Sequence, residues 1–237
     1  MLKIVAGRLP ALAAWLLLSL VVLPGAQAQE FEEGTHYVRL AVPVQTLDDT
    51  KVEVVEVFSY ACIHCKTFDP ALEQWRAGQV DSVLFRRVPA VFNKTWATFA
   101  QAYYAAEALE VAQAVHTPLF KAIHEQGVDL RKPELLAILF ETFGGVPKEE
   151  FDQVFNSFGV RSRVQQATAS GRAYGISGVP TLIVDGMFRT DGQMAGSNAM
   201  MLQVVDHLVE QQAAARGIDI EAPAAPTAPV GLSVDSD

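Results

Sequence analysis

The chain has two cysteines, Cys62 and Cys65, and they stand three residues apart around Ile63 and His64. Thiol-disulfide exchange needs a thiolate that attacks and a second thiol close enough to resolve the mixed disulfide, and a C-x-x-C pair supplies both. As a structural staple the pair is poor, because closing so short a loop removes only about 2 kcal/mol of unfolded-chain entropy, against ~5 for a long loop. A helix starting at Cys62 would aim unsatisfied amides and the positive end of its dipole at the sulfur. Cys62 is therefore the expected nucleophile, and Cys65, inside the first turn, the resolving thiol. An imidazole between two reactive thiols favours the Cys62 thiolate, which gives His64 a role beside them. Metal binding by Cys62, His64 and Cys65 is the rival chemistry. His64 adjoins Cys65, however, and no second Cys or His cluster completes a tetrahedron, so neither a metal nor a cofactor is expected. His116, His124 and His207 read as surface or packing residues scattered through helices.

Six residues before Cys62 lies Glu56, within the β-branched run Lys51 to Phe58. Valines at both parities of that run predict a strand covered on both faces, which puts Glu56 inside with Val54 and Phe58. A buried acid beneath the dithiol has a raised pKa and can move the proton that Cys65 must lose when it resolves the mixed disulfide. The alternative is a strand-end glutamate that turns to solvent, and Glu53 is the weaker candidate of the two. Val179-Pro180-Thr181 follows the turn Gly175 to Gly178 and opens another strand, where a first-position proline is tolerated without any function.

The elements around these residues alternate between strand and helix periods. A lead-in with Tyr37, Val38, Leu40 and Val42 suggests an edge strand. Phe68, Leu72 and Trp75 continue a helix behind Cys62, with Pro70 inside it, and a strand follows at Ser82 to Val88. Five helices are expected next, over 97–115, 118–126, 133–143, 149–158 and 161–174, with breaks at Thr117-Pro118, Gly127, Gly144 to Pro147 and Gly159. The strand Pro180 to Val184, the turn Asp185-Gly186 and the strand Met187 to Thr190 form a hairpin, and Ser197 caps a last helix to about Ala215. This order predicts an α/β, thioredoxin-like fold with an all-helical insertion: residues 29–94 and 175–216 form the sheet domain and 95–174 the insertion.

Phe58-Ser59-Tyr60-Ala61-Cys62-Ile63-His64-Cys65, with Gly178-Val179-Pro180-Thr181 and the acid at Glu56, resembles the active-site segments of the DsbA family. The resemblance extends from about Tyr37 to Ala215. It implies a periplasmic thioredoxin domain that oxidises newly exported, reduced or unfolded proteins and is itself reoxidised by a membrane protein of the DsbB type. It also implies a cis bond at Val179-Pro180 facing the dithiol, so that the Val179 backbone, with Pro180, Thr181 and Ile63, binds an extended substrate. The family usually places Pro-His between its cysteines, and here the first of those positions is Ile63. A reductase or isomerase of the same fold, or a peptide-binding chaperone that needs neither thiol, are the competing functions. An isomerase usually carries a dimerisation region ahead of the thioredoxin domain, and only about 20 residues are available here.

The termini and the charge bound the rest. Lys3 and Arg8 precede an apolar run that ends in Ala26-Gln27-Ala28, the pattern of a cleaved secretory signal over 1–28. Loss of those two bases takes the net charge from -9 to -11, which disfavours nucleic acid as a partner. Residues 217–237 are rich in proline and alanine and read as a disordered tail. No heptad argues for assembly, so a monomer is expected.

Overall fold

The computed structural model describes residues 31–220; the expected signal segment over 1–28 and residues 221–237 of the expected tail lie outside them. The described residues open with β1 (Val38–Arg39), β2 (Val52–Phe58), α1 (Ile63–Ala77) and β3 (Val83–Pro89). Five helices follow: α2 (Lys94–Ala108), α3 (Ala112–His124), α4 (Pro133–Gly144), α5 (Lys148–Phe155) and α6 (Phe158–Ala173). The chain then returns to β4 (Thr181–Val184), β5 (Phe188–Asp191) and α7 (Asn198–Arg216).

The strands form one sheet in the order β1-β5-β4-β2-β3, with β2 and β3 parallel and the other pairs antiparallel. All seven residues of β2 are buried, as its valines at both parities require. Its four valines each contribute about 1.5–3 kcal/mol through burial. On one face Val52, Val54, Leu182 and Val184 pack with Phe68 and Leu72 of α1 and with Val204, Val205 and Leu208 of α7. On the other, Val55, Val57 and Ile183 meet the helical block through Phe99, Tyr103, Val115 and Phe120. The result is a thioredoxin-like sheet between two helical layers, with an all-helical insertion between β3 and β4.

Two helix breaks differ from the sequence expectation. The break expected at Thr117-Pro118 falls instead at Leu109 to Val111, where Glu110 takes a left-handed φ of 59° and Val111 N–H donates to Ala106 O. Pro118 is then carried inside α3. An αL cap without glycine leaves no compositional mark, and the proline was the more visible breaker. The break assigned to Gly159 comes earlier, at Ser157, whose hydroxyl accepts from Val160 N–H at 3.2 Å and caps α6. The hairpin turn is as expected: Asp185 and Gly186 have φ of 52° and 61°. A Cβ on Gly186 would lie 1.9 Å from Val44 O, so only glycine fits there. Gly217 closes α7 in the left-handed region, and Ile218 and Ile220 pack against the core.

Candidate active site

The site forms where β2 gives way to α1. A turn joins them, with Cys62 N–H donating to Ser59 O at 3.0 Å and Ala61 N–H to Ser59 Oγ at 3.2 Å. Cys62 is the N-cap of α1 and has extended backbone angles, so the first amides of the helix point toward its sulfur. Both cysteines are free thiols. Cys62 is partly exposed and its sulfur lies 3.4 Å from Val179 O, whereas Cys65 is fully buried. The hydrogen bond from Cys65, followed by the backbone amides of Cys65 and His64 and by the His64 charge, lowers Cys62 from 9.0 to about 6. Burial and the Cys62 and Glu56 charges push Cys65 far the other way. The pair is thus polarised: one sulfur ionises readily near neutral pH and the other keeps its proton.

The expected site residues converge with one difference of role. Ile63, 48% exposed, and His64 lie on the surface beside Cys62. The Val179-Pro180 bond is cis. His64, Val179 and Pro180 line a groove of about 480 Å³ together with Asp191, Gln193 and Asn198. Thr181 is buried instead, and its hydroxyl donates to Gly178 O at 2.9 Å, so it props the loop from behind. Glu56 is 1% exposed, and burial, only partly offset by Arg87, raises it to about 7. Its charge is felt at Cys65. Among the described residues no group of three His, Cys, Asp or Glu side chains is arranged to hold a metal ion.

Sequence reasoning missed what surrounds Glu56. Arg87, directly opposite it across β2 and β3, donates to Glu56 Oε2 at 2.6 Å, to Asp69 Oδ1 at 3.1 Å and to Glu73 Oε1 at 2.6 Å. Of the two readings given to His116, surface or packing, it takes the second: it is buried between Asp69, 2.8 Å from its Nε2, and the Tyr60 hydroxyl, 2.9 Å from its Nδ1. Glu53 is just as buried on the opposite face of β2 and pairs with Arg86 through two bonds of 3.0 Å. The signal was present in Phe85-Arg86-Arg87-Val88. Adjacent arginines in a strand point to opposite faces, and so do Glu53 and Glu56, so each face carries a matching pair.

Known proteins resemble this chain over most of its length. The family model of the DSBA-like thioredoxin domain matches residues 84–209, a span that begins in β3, after the dithiol. The thiol:disulfide interchange protein DsbA of Azotobacter vinelandii is 39% identical over 197 residues, covering 81% of this chain and 92% of that protein. The protein of the same name from Pseudomonas aeruginosa PAO1 is 37% identical over 190 residues, covering 80% and 90%. The crystal structure of Pseudomonas aeruginosa DsbA superposes with a TM-score of 0.75 at 35% identity, over 79% of this chain and 97% of that one. The oxidoreductase DsbA from Xylella fastidiosa gives 0.72 at 36% identity, over 76% and 97%. The chain belongs to the DsbA family of thiol:disulfide oxidoreductases, built on the thioredoxin fold.

Proposed function

We propose that the protein is a disulfide donor in which Cys62 is the exchanging thiol. The observation that carries this reading is the polarised pair, a partly exposed Cys62 lowered to about 6 beside a buried Cys65 held protonated. In the oxidised protein a substrate thiolate attacks Cys62 Sγ, the Cys62–Cys65 bond breaks, and its electron pair goes to the Cys65 sulfur. Glu56, at about 7, supplies the proton for that sulfur and takes it back when Cys65 resolves a mixed disulfide. A second substrate thiolate then attacks the substrate sulfur of the mixed disulfide and releases Cys62 as a thiolate. The substrate dithiol is oxidised and the enzyme disulfide reduced. A low-pKa thiol is the better leaving group, which drives this last step.

Val179 O, 3.4 Å from Cys62 Sγ, is where an extended substrate chain would pair, with Pro180 and Ile63 as apolar contacts and Thr181 as support. His64 stabilises the Cys62 thiolate by its charge and its amide. The substrates are reduced exported proteins met as a monomer in the periplasm after removal of residues 1–28. A membrane protein of the DsbB type returns the dithiol to the disulfide. The helical block of 95–174 is an insertion into a sheet domain made of 29–94 and 175–216.

The test uses the chain from Gln29, oxidised and mixed with a reduced two-cysteine peptide, with the products weighed after thiol alkylation. The expected result is one peptide disulfide for each enzyme disulfide lost, and none for Cys62→Ser or Cys65→Ser. Undiminished action of the double serine variant in a folding assay would favour a chaperone and overturn the reading.

A further inference from the structure

Side chains at the end and middle of α3 reach across to the segment that carries Cys62. His116 meets the Tyr60 hydroxyl, and His124 Nε2 lies 2.8 Å from the Tyr60 backbone oxygen. Glu125 pairs with Lys66 of α1 at 2.7 Å, and His116 also meets Asp69 of α1. Both polar ends of Tyr60 are thus held by one helix of the insertion, and α1 is tied to that helix just beyond.

The partners assign the protons. A carboxylate and a carbonyl only accept, so Nε2 carries the hydrogen in both histidines, and His116 Nδ1 accepts from Tyr60. Burial holds His116 below its ordinary pKa, in keeping with the neutral ring that this acceptor role needs. Tyr60 is itself 1% exposed, packed edge-on against Phe58 and Phe120. It stands second in the turn Ser59 to Cys62, which sets how the chain enters α1. The position of Cys62 Sγ relative to the first amides of α1 and to Val179 O follows from that entry. The His124 bond fixes the plane of the Tyr60–Ala61 peptide, and the His116 bond fixes the ring that anchors it.

We propose that His116 and His124 are positioning residues for disulfide exchange, which act through Tyr60 to keep the Cys62 sulfur aligned with the N-terminus of α1. The helical insertion thereby sets the leaving-group quality of a thiol that these two side chains do not touch. The inference rests on Cys62 being the exchanging thiol, and a Cys62→Ser control tests that point separately, because it must abolish the low-pH thiolate signal.

The experiment titrates the ultraviolet thiolate absorbance of the reduced protein against pH for the parent, His124→Leu, His124→Gln and Tyr60→Phe, alongside peptide oxidation rates and melting temperatures. Loss of alignment with a helix terminus is worth roughly a five- to tenfold change in an ionisation equilibrium. His124→Leu is expected to move the Cys62 midpoint upward by that factor and slow disulfide donation. His124→Gln, which keeps a donor, is expected to recover much of the shift. Tyr60→Phe is close to isosteric, removes the His116 bond while keeping the His124 bond to the backbone oxygen, and is expected to shift the midpoint in the same direction. It decides the His116 arm, whereas His124→Gln against the parent decides the His124 arm if His124→Leu does not fold. Unchanged midpoints in the folded variants, with only the melting temperature lowered, would overturn the proposal and leave the contacts as packing.

Discussion

Replacing Glu56 by Gln separates the cost of burying this acid from its use. Glu56 rises from 4.5 in the unfolded chain to about 7 in the folded protein, chiefly because it is desolvated. Below pH 4.5 both states hold the proton, and the acid adds no pH dependence. Between 4.5 and 7 the folded state keeps a proton that the unfolded state releases, so stability falls as pH rises. Above 7 both are ionised and the penalty is constant. At 1.36 kcal/mol per pKa unit, the loss accumulated by pH 8 is about 3 kcal/mol. Glutamine has no charge to desolvate and still offers an oxygen to Arg87 Nε. The assay is urea unfolding of the oxidised parent and Glu56→Gln from pH 4 to 8.5. Oxidised protein is used because the lowered Cys62 thiol makes the reduced form gain stability as pH rises above about 6, with the opposite sign. The parent is expected to lose about 3 kcal/mol relative to the variant across this range. A stability difference that stays flat with pH would refute the burial argument and, with it, the proton role assigned to Glu56.

Arg87→Leu leaves Glu56, Asp69 and Glu73 without their shared cation, and is expected to cost roughly 3–5 kcal/mol in denaturant unfolding at neutral pH, less at pH 4. In the reduced parent, thiolate absorbance should appear with a midpoint near 6, and Cys65→Ala, which removes the largest stabilising hydrogen bond, should move that midpoint upward. The reduction potential is expected to fall by ~59 mV per pH unit below that midpoint and by ~30 mV above it, where the reduced form binds one proton fewer. Gly186→Ala places a methyl against Val44 O in a left-handed turn, and a lowered melting temperature, worth about 1–3 kcal/mol, should follow.

The dithiol and Glu56 were legible because each is a local pattern, a spacing and a parity within a strand, whereas the Pro180 loop was expected from the resemblance, since a proline before a strand by itself implies no function. Buried β2 followed from valines on both faces, and the hairpin from Asp185-Gly186. The pairing of Arg87 with Glu56 was readable from strand parity, but the reach of Arg87 to Asp69 and Glu73 and the histidine contacts on Tyr60 and Asp69 were not, since they join residues 14 to 64 positions apart through side chains whose types also suit a surface. The displaced break before α3 has the same origin. Packing of α3 against α1 and Tyr60 overrides the local preference to break at Pro118, and nothing near Glu110 announces its αL conformation.

The central claim is that this polarised pair donates disulfides, and its most direct test is the equilibrium of Cys62 and Cys65 with glutathione redox buffers, read by mass after alkylation. A midpoint near ~-120 mV, the value that DsbA itself shows as the family's example, is the expected result. A midpoint near the ~-270 mV of thioredoxin would contradict the donor reading and make the protein a reductase.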